Sequence, residues 1–169
     1  MTPEQAKFAA HLYIQGLENE FHATKKVLAA IPEAKKTYKP DENSRTAHDL
    51  AAHLVSADVW FLHGIVKGEF VPEPDKKFNS MSEIVGYYDK EYPAALAKVK
   101  AMPAEKLAQT IPAFGMFNLP AAVYLGFVNN HSIHHRGQLA TYLRPMGAKV
   151  PSIYGGSFDE PMSMPAAAK

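Results

Sequence analysis

The sequence predicts an all-α protein, specifically a four-helix bundle, from three observations. Four long segments carry apolar residues at helical spacing, no segment shows a convincing strand pattern, and capping residues mark the helix starts. The chain has 169 residues, of which 47% are hydrophobic and 21% are charged, and this composition suits one domain with its own core. We therefore expect a single helical domain over residues 1–169, ending in an irregular tail over about residues 145–169.

The first helix is expected to run from about Thr2 to Ile31. Thr2 can cap it, Pro3 occupies the first helical position, and Gln5 stands three residues after the cap, as in a capping box. Pro32 ends the regular pattern, and a polar connection follows.

The second helix is expected to begin near Ser44 or Thr46 and to continue to about Lys67. Asp49 follows Thr46 at the spacing of a capping box, and Gly68 is a stop signal. The loop after it contains two prolines and paired charges, which keep it out of a regular element.

The third helix opens with Ser80 and Glu83, another capping-box pair, and continues to about Val99. Pro93 is expected to kink this helix without ending it, because good helix formers follow. A short helical turn is expected over residues 103–108, before an extended and partly apolar connector.

The fourth helix is expected to start at Asn118, which can cap it, with Pro120 just inside, where a missing N–H costs nothing. Apolar residues continue to Leu143, and Pro145 with Gly147 then stops the helix. The tail that follows is rich in glycine and proline and is expected to lie over the bundle before fraying.

Composition excludes several classes of function. The formal charge is +1 and no basic run exceeds two residues, whereas a duplex-binding protein needs a basic face, so we expect no nucleic-acid partner. The chain has no cysteine, which excludes disulfides, thiolate-bound zinc and iron–sulfur clusters. The sequence shows neither a signal peptide nor an apolar run of about 20 residues, so we expect a cytoplasmic protein without a membrane partner.

Three of the eight histidines fall within five positions of the fourth helix. His131 and His135 are separated by ~40° around the helix and ~6 Å along it, so both rings can reach one ion at ~2.0–2.1 Å. His134 is turned ~100° from His135 and is assigned a flanking or second-shell position. The residue after His131 is Ser132, so the glutamate of a zinc-peptidase motif is missing. Aromatic packing, or surface histidines without metal, is the alternative interpretation.

The second helix offers three candidates for a third metal ligand, namely His48, His53 and His63. His53 lies on or close to the apolar stripe and is the best of them. His48 lies near the helix start, ~140° away around the axis, and His63 lies near the far end. Three histidines with an open coordination position are typical of a catalytic metal site, where water or a thiol would bind.

Three stretches of sequence resemble a known family. The segment "HSIHHRGQLATYLRPMG" resembles the fourth-helix signature of the DinB/YfiT-like superfamily of small metal-binding proteins, and the matching residues are His131, His135, Arg136, Gly137 and Gln138. The segment "TAHDLAAHLVSADVWFLHGIVKGEF" resembles the superfamily's second helix and puts His53 at its ligand position. The tail "KVPSIYGGSFDE" resembles a terminal segment of one subgroup.

The resemblance implies a four-helix bundle with a crossover connection, a divalent ion at His53, His131 and His135, and a homodimer. Zinc and nickel are the most frequent ions of the superfamily. Its characterised members include transferases that join low-molecular-weight thiols to electrophiles and a maleylpyruvate isomerase that uses such a thiol, while others are presumed hydrolases.

On this basis we expect a metal-dependent enzyme that activates a thiol or water against a small-molecule substrate. Transfer of a low-molecular-weight thiol is favoured over hydrolysis, by family analogy, and no catalytic acid or base is assigned. A non-catalytic metal-binding or small-molecule-binding bundle, for instance in a stress response, is the alternative. A third interpretation is a structural bundle whose histidines form a polar patch without metal.

Besides His134, four residues are candidates for the surroundings of the ion, namely Asp49, Trp60, Arg136 and Gln138. Trp60 can wall the pocket or pack in the core, and Arg136 can bind a substrate carboxylate or form an ion pair on the helix surface. Gln138 and Asp49 can orient a ligand histidine by a hydrogen bond to its second nitrogen. Gly137 can allow a close approach between helices.

Overall fold

The computed structural model describes residues 1–162, which form four long helices, one short helix and one β-hairpin. The elements are α1 (Pro3–Ala29), α2 (Ala47–Lys67), α3 (Met81–Lys100), α4 (Ala104–Ala108), β1 (Thr110–Ala113), β2 (Phe117–Pro120) and α5 (Tyr124–Leu143), with short 3₁₀ turns at Glu33–Lys35 and Ala121–Val123. The predicted fourth long helix is α5. Over residues 1–162, no helix has both the length and the apolar character needed to cross a bilayer. The last part of the expected tail, 163–169, lies outside the described residues.

Local side-chain chemistry fixes the starts of α1, α2 and α3. Three backbone N–H groups donate to capping hydroxyls: Gln5 to Thr2 at 3.3 Å, Asp49 to Thr46 at 3.0 Å, and Glu83 to Ser80 at 3.2 Å. Gly68 ends α2 with a φ of 81°, a left-handed conformation that glycine adopts without a steric penalty. α3 continues through Pro93 to Lys100, as predicted.

The predicted start of the fourth helix is wrong. Asn118 and Pro120 lie in β2, which pairs antiparallel with β1, and α5 begins only at Tyr124. The backbone of this segment is satisfied by the partner strand, and the Tyr124 hydroxyl donates to the Ile111 carbonyl at 2.7 Å. The 3₁₀ turn at Ala121–Val123 leads directly into α5, where the Tyr124 N–H donates to the Ala121 carbonyl and no side chain caps the helix. The connector, in which the sequence showed no strand pattern, contains a short hairpin.

The four long helices form a bundle with a crossover connection. α1 packs against α3 and α5, and α2 packs against the same two helices, so α1 and α2 lie on opposite sides. The connection between α2 and α3 runs back along α2, because Val71 accepts from Trp60 Nε1 at 2.7 Å while Lys76 donates to Ser56 Oγ at 3.0 Å. This crossover brings loop residues beside the middle of α2.

The core is mainly aliphatic and aromatic, but four buried residues within 1–162 are polar: Thr24, Asp58, Ser132 and Arg136. Thr24 and Ser132 hydrogen-bond at 3.2 Å across the α1–α5 contact. Arg136 forms a salt bridge with Glu20 of α1 and also hydrogen-bonds the Tyr154 hydroxyl. The described part of the tail is irregular, as predicted, and is attached to the bundle by that tyrosine.

Gly137 does not serve a close helix approach, contrary to one of the sequence interpretations. A Cβ at Gly137 would meet no atom within 4 Å, whereas a Cβ at Gly126 on the same helix would lie 3.0 Å from the Tyr13 hydroxyl. Gly137→Ala is therefore expected to raise the free energy of unfolding by about 0.5–1 kcal/mol, through helix propensity alone. Urea unfolding checks this, with Gly126→Ala as the crowded comparison. A Gly137→Ala protein no more stable than the parent would contradict the assignment of open space.

Candidate metal centre

Three histidine rings from two helices converge at one point beside the core. α2 supplies His53, and α5 supplies His131 and His135, whose rings lie one turn apart in an edge-to-face arrangement with centroids 4.5 Å apart. The Nε2 atoms of His53 and His131 are 3.4 Å apart. One potential ligand atom from each of the three residues lies within 4.8 Å of those of the other two. All three side chains are partly buried.

Each of these rings is held through its Nδ1 atom by a side-chain oxygen. His53 Nδ1 is 3.0 Å from the Asp75 carboxylate, His131 Nδ1 is 2.8 Å from Asp58 Oδ1, and His135 Nδ1 is 2.8 Å from Gln138 Oε1. When each Nδ1–H donates to its partner, the lone pair stays on Nε2, which is the atom available to an ion. The ring orientation and the tautomer are thus set by the same hydrogen bonds.

The spacing of the ring nitrogens fits a zinc-sized ion. Two nitrogens bound at ~2.0–2.1 Å in tetrahedral geometry lie ~3.3–3.4 Å apart. The 3.4 Å between His53 Nε2 and His131 Nε2 matches this separation. The potential ligand atoms of all three histidines, His135 included, lie within 4.8 Å of one another, and imidazole nitrogen is a donor that suits zinc and nickel.

Asp58 is the buried anchor of the centre. Its side chain is fully inaccessible; Oδ1 accepts from His131, and Oδ2 accepts from the Tyr88 hydroxyl at 3.2 Å. Burial raises the pKa of the Asp58 carboxyl, and the hydrogen bond from His131 opposes that rise. A buried carboxylate behind a ligand histidine increases the basicity of the ring.

The local environment favours the neutral form of His135. Burial lowers the pKa of His135 from 6.5 to about 4, although the hydrogen bond with Gln138 acts in the opposite direction. The nearby His131 and His53 rings add to the lowering. His135 is therefore unprotonated near pH 7, which is the state that a metal ligand requires.

A pocket of about 700 Å³ opens beside His53 and His131. Its walls are largely apolar and include Trp60, which is partly buried and also packs against the core. The remaining lining residues are Ser56, Ala57, Val59, Phe61, His63, Phe70, Pro72, Glu73, Pro74, Asp75, Lys76, Tyr87 and Phe114. A small molecule in this pocket would thus have direct access to two of the three histidines.

The other candidate residues have different positions. Gln138 hydrogen-bonds His135 Nδ1, whereas Asp49 hydrogen-bonds the Thr46 hydroxyl at 2.7 Å and is exposed. His134 is exposed and only flanks His135, with ring centroids 4.8 Å apart. Arg136 is 2% exposed and turns toward α1, where it forms a buried ion pair with Glu20. It does not line the pocket.

Two carboxylates that hydrogen-bond the histidines, Asp58 at His131 and Asp75 at His53, were not predicted from the sequence. Asp58 carried a usable signal, because it is a lone acidic residue in the apolar run of α2. Asp75 carried none, since it reaches His53 only through the path of the crossover connection. His48 and His63, the other candidates of α2, are absent from the three-histidine set, although His63 lines the pocket.

Comparison with known proteins gives a consistent picture. The DinB family profile matches residues 5–165. The uncharacterized protein YjoA of Bacillus subtilis (strain 168) is 25% identical over 129 residues, which cover 75% of this chain and 83% of YjoA. The crystal structure of a DinB-like protein from Bacillus cereus is 25% identical, with a TM-score of 0.73 over 84% of this chain and 95% of that one. The mycothiol-dependent maleylpyruvate isomerase shares the fold at 11% identity, with a TM-score of 0.53 over 90% of this chain and 66% of that one.

Proposed function

The chain belongs to the DinB family, and on that basis we propose that it is a metal-dependent enzyme acting on a small molecule. His53, His131 and His135 would hold one divalent ion, zinc or nickel. The observation that carries the proposal is the convergence of three imidazoles whose Nδ1 atoms are all occupied by hydrogen-bond partners. Such an ion, when bound, lowers the pKa of a coordinating thiol or water and so supplies a nucleophile near neutral pH.

The surrounding residues position the reactants. Asp58, Asp75 and Gln138 fix the three rings, so the site loses little conformational freedom when it is filled. The largely apolar pocket beside His53 and His131 holds the electrophilic substrate and limits its contact with water.

Transfer of a low-molecular-weight thiol is the reaction we favour, and hydrolysis is the second choice. The similarity in fold to a mycothiol-dependent isomerase supports a thiol cosubstrate. The formal charge of +1 gives no support for a nucleic-acid partner. A homodimer, expected from the family resemblance, stays a prediction.

Protein purified without a histidine tag is expected to contain close to one equivalent of a divalent metal. Three preorganised nitrogen donors bind zinc or nickel more tightly than scattered surface histidines do. Elemental analysis by mass spectrometry, before and after chelation and reloading, measures the stoichiometry. A metal content below half an equivalent, with no gain when zinc or nickel is added, would contradict the proposed metal site. The protein would then be a bundle with a polar histidine patch.

Turnover distinguishes an enzyme from a non-catalytic binder. Metal-loaded protein is expected to accelerate the reaction of one of bacillithiol, mycothiol, glutathione or coenzyme A with 1-chloro-2,4-dinitrobenzene. His135→Ala is the inactive comparison and His134→Ala is the matched control, since His134 is the exposed neighbour. If no thiol is consumed faster by the wild type than by His135→Ala, while one metal is bound, the protein is a binder and the transferase proposal fails.

A further inference from the structure

We propose that the pocket beside the histidines recognises an aromatic ring in its ligand, so the substrate class is an aromatic electrophile. The inference rests on the proposed function only in treating that ligand as the substrate. Four aromatic side chains form one continuous wall of the pocket, and we call them the aromatic wall: Trp60, Phe61, Phe70 and Phe114.

The rings of the aromatic wall contact one another in the geometries that aromatic pairs prefer. Trp60 lies 4.9 Å from Phe61 and 5.4 Å from Phe70, measured between ring centroids. Phe114 stacks on Phe70 with a centroid distance of 6.1 Å and an interplanar angle of 21°. These distances fall in the ~4.5–7 Å range of favourable ring pairs, and a ligand ring can extend the same pattern.

Trp60 presents only apolar surface to the pocket. Its indole Nε1–H donates to the Val71 carbonyl at 2.7 Å, so the single polar atom of the ring is already paired. The hydrogen bond also fixes the ring plane against the crossover connection. A ligand that meets Trp60 is therefore selected for shape and ring character, because the indole has no free hydrogen-bond donor.

Phe114 is held in a conformation that costs free energy. Its φ is 56°, Gly115 has a φ of 66°, and Met116 N–H donates to the Ala113 carbonyl at 3.1 Å, which is the pattern of a type I′ turn. Such turns favour Asn-Gly, and a bulky side chain at positive φ is an outlier. Phe114 is 48% exposed and lines the pocket, so core burial does not account for its presence. A strained aromatic residue at a pocket indicates a ligand contact.

The aromatic wall adjoins the histidine centre. The ring of Phe61 lies 6.0 Å from that of His131, and both line the same pocket. A ligand ring against the wall therefore lies next to the side of the centre that faces the pocket. Glu73, Asp75 and Lys76 provide the charged groups of the lining, where they can meet polar substituents of the ligand.

Trp60 is the only tryptophan of the chain and lines this pocket, so tryptophan fluorescence reports on the surroundings of one residue at the proposed binding site. The experiment titrates full-length protein with 4-nitrobenzyl alcohol and follows the quenching of Trp60. Benzyl alcohol and cyclohexylmethanol then compete as aromatic and saturated ligands of similar size. We expect 4-nitrobenzyl alcohol to quench the Trp60 fluorescence in a saturable way. Benzyl alcohol is expected to reverse the quenching, whereas cyclohexylmethanol is expected to compete with an affinity at least about fivefold weaker.

The Phe114→Asn variant tests the contribution of Phe114 to ligand binding separately from its effect on the stability of the fold. Asparagine suits the turn, so the Tm is expected to rise by ~2–4 °C, while the dissociation constant of the probe increases by about two- to tenfold. Phe114→Gly, which also accepts positive φ, is the second variant and is expected to weaken the probe similarly. Met116→Asn is the matched control, because Met116 is exposed in the same turn and does not line the pocket.

The outcomes are independent of the metal chemistry, because the same titrations are run on metal-free protein and on the His135→Ala variant, whose substituted residue does not line the pocket. Saturable aromatic-selective binding without metal or turnover supports the pocket assignment even where the proposed enzyme fails. Non-saturable quenching, equal competition by cyclohexylmethanol, or unchanged affinity in both Phe114 variants would overturn the assignment even where a thiol transferase is found.

Discussion

The His131→Ala variant is expected to lose divalent-metal affinity by more than about 100-fold, beyond the 10–100-fold range typical of outer-shell changes. His131 is central to the cluster, because its Nε2 is 3.4 Å from His53 Nε2 and its ring lies between Asp58 and the proposed ion. The variant removes one of three nitrogen donors and leaves the buried Asp58 carboxylate without its imidazole partner. Two imidazoles on different helices then bind an ion only weakly.

Zinc titration by calorimetry measures this loss directly. The thermal stability gained on adding zinc supplies a second readout, since a ligand at 100 times its dissociation constant adds about 2.7 kcal/mol to the free energy of unfolding. His134→Ala, on the exposed side of the same helix, is expected to behave like the wild type. Equal zinc affinity in the wild type and the His131→Ala variant would mean that the histidine centre does not hold the ion.

Asp58→Ala is expected to lower metal affinity by about 10–100-fold without removing a ligand. Asp58 accepts the hydrogen bond that fixes the His131 ring, and it also accepts from Tyr88 on α3. Without the carboxylate, the His131 ring is free to rotate and its Nδ1–H is buried without a partner. The same zinc titration is the measurement, and circular dichroism checks that the bundle remains folded.

Two other substitutions make this prediction specific. Asp58→Asn retains an oxygen acceptor for His131 but removes the charge, so its affinity is expected to fall between those of the wild type and Asp58→Ala. Asp49→Ala changes another acidic residue of α2, whose carboxylate contacts Thr46 and the neighbouring His48, and is expected to leave zinc affinity unchanged. An Asp58→Ala protein that binds zinc as tightly as Asp49→Ala does would show that the buried carboxylate does not support the site.

The sequence predicted those parts of the fold that depend on neighbouring residues. Thr2, Thr46 and Ser80 cap helices through bonds that span three residues, so their roles are visible in a short window. Gly68 ends α2 for an equally local reason. The four-helix bundle followed from helical periodicity, which is a property of each segment by itself.

The misplaced start of α5 shows where local signals fail. Asn118 and Pro120 form a good helix-capping pattern, but pairing with β1 places both of them in a strand. That pairing depends on the turn at Phe114, whose positive φ is unusual for phenylalanine and gives no sequence signal. Tertiary contacts here outweigh the local preference.

The candidate site was predictable only in part. The spacing of His131 and His135 on one helix face is helical arithmetic, and the apolar stripe of α2 pointed to His53. Asp75 could not be predicted as the hydrogen-bond partner of His53. It follows His53 by 22 residues and reaches it only because the crossover connection runs back along α2. Arg136 looked available to a substrate from its type, yet the tertiary contact with Glu20 buries it away from the pocket.

The most direct test of the central claim is anomalous X-ray diffraction from crystals of untagged protein, recorded on both sides of the zinc and nickel absorption edges. We expect one peak at ~2.0–2.1 Å from the Nε2 atoms of His53, His131 and His135. Asp58 and Asp75 are expected to keep their hydrogen bonds to the His131 and His53 rings. A metal peak elsewhere, or no peak after soaking in zinc and nickel with the three rings turned apart, would contradict it.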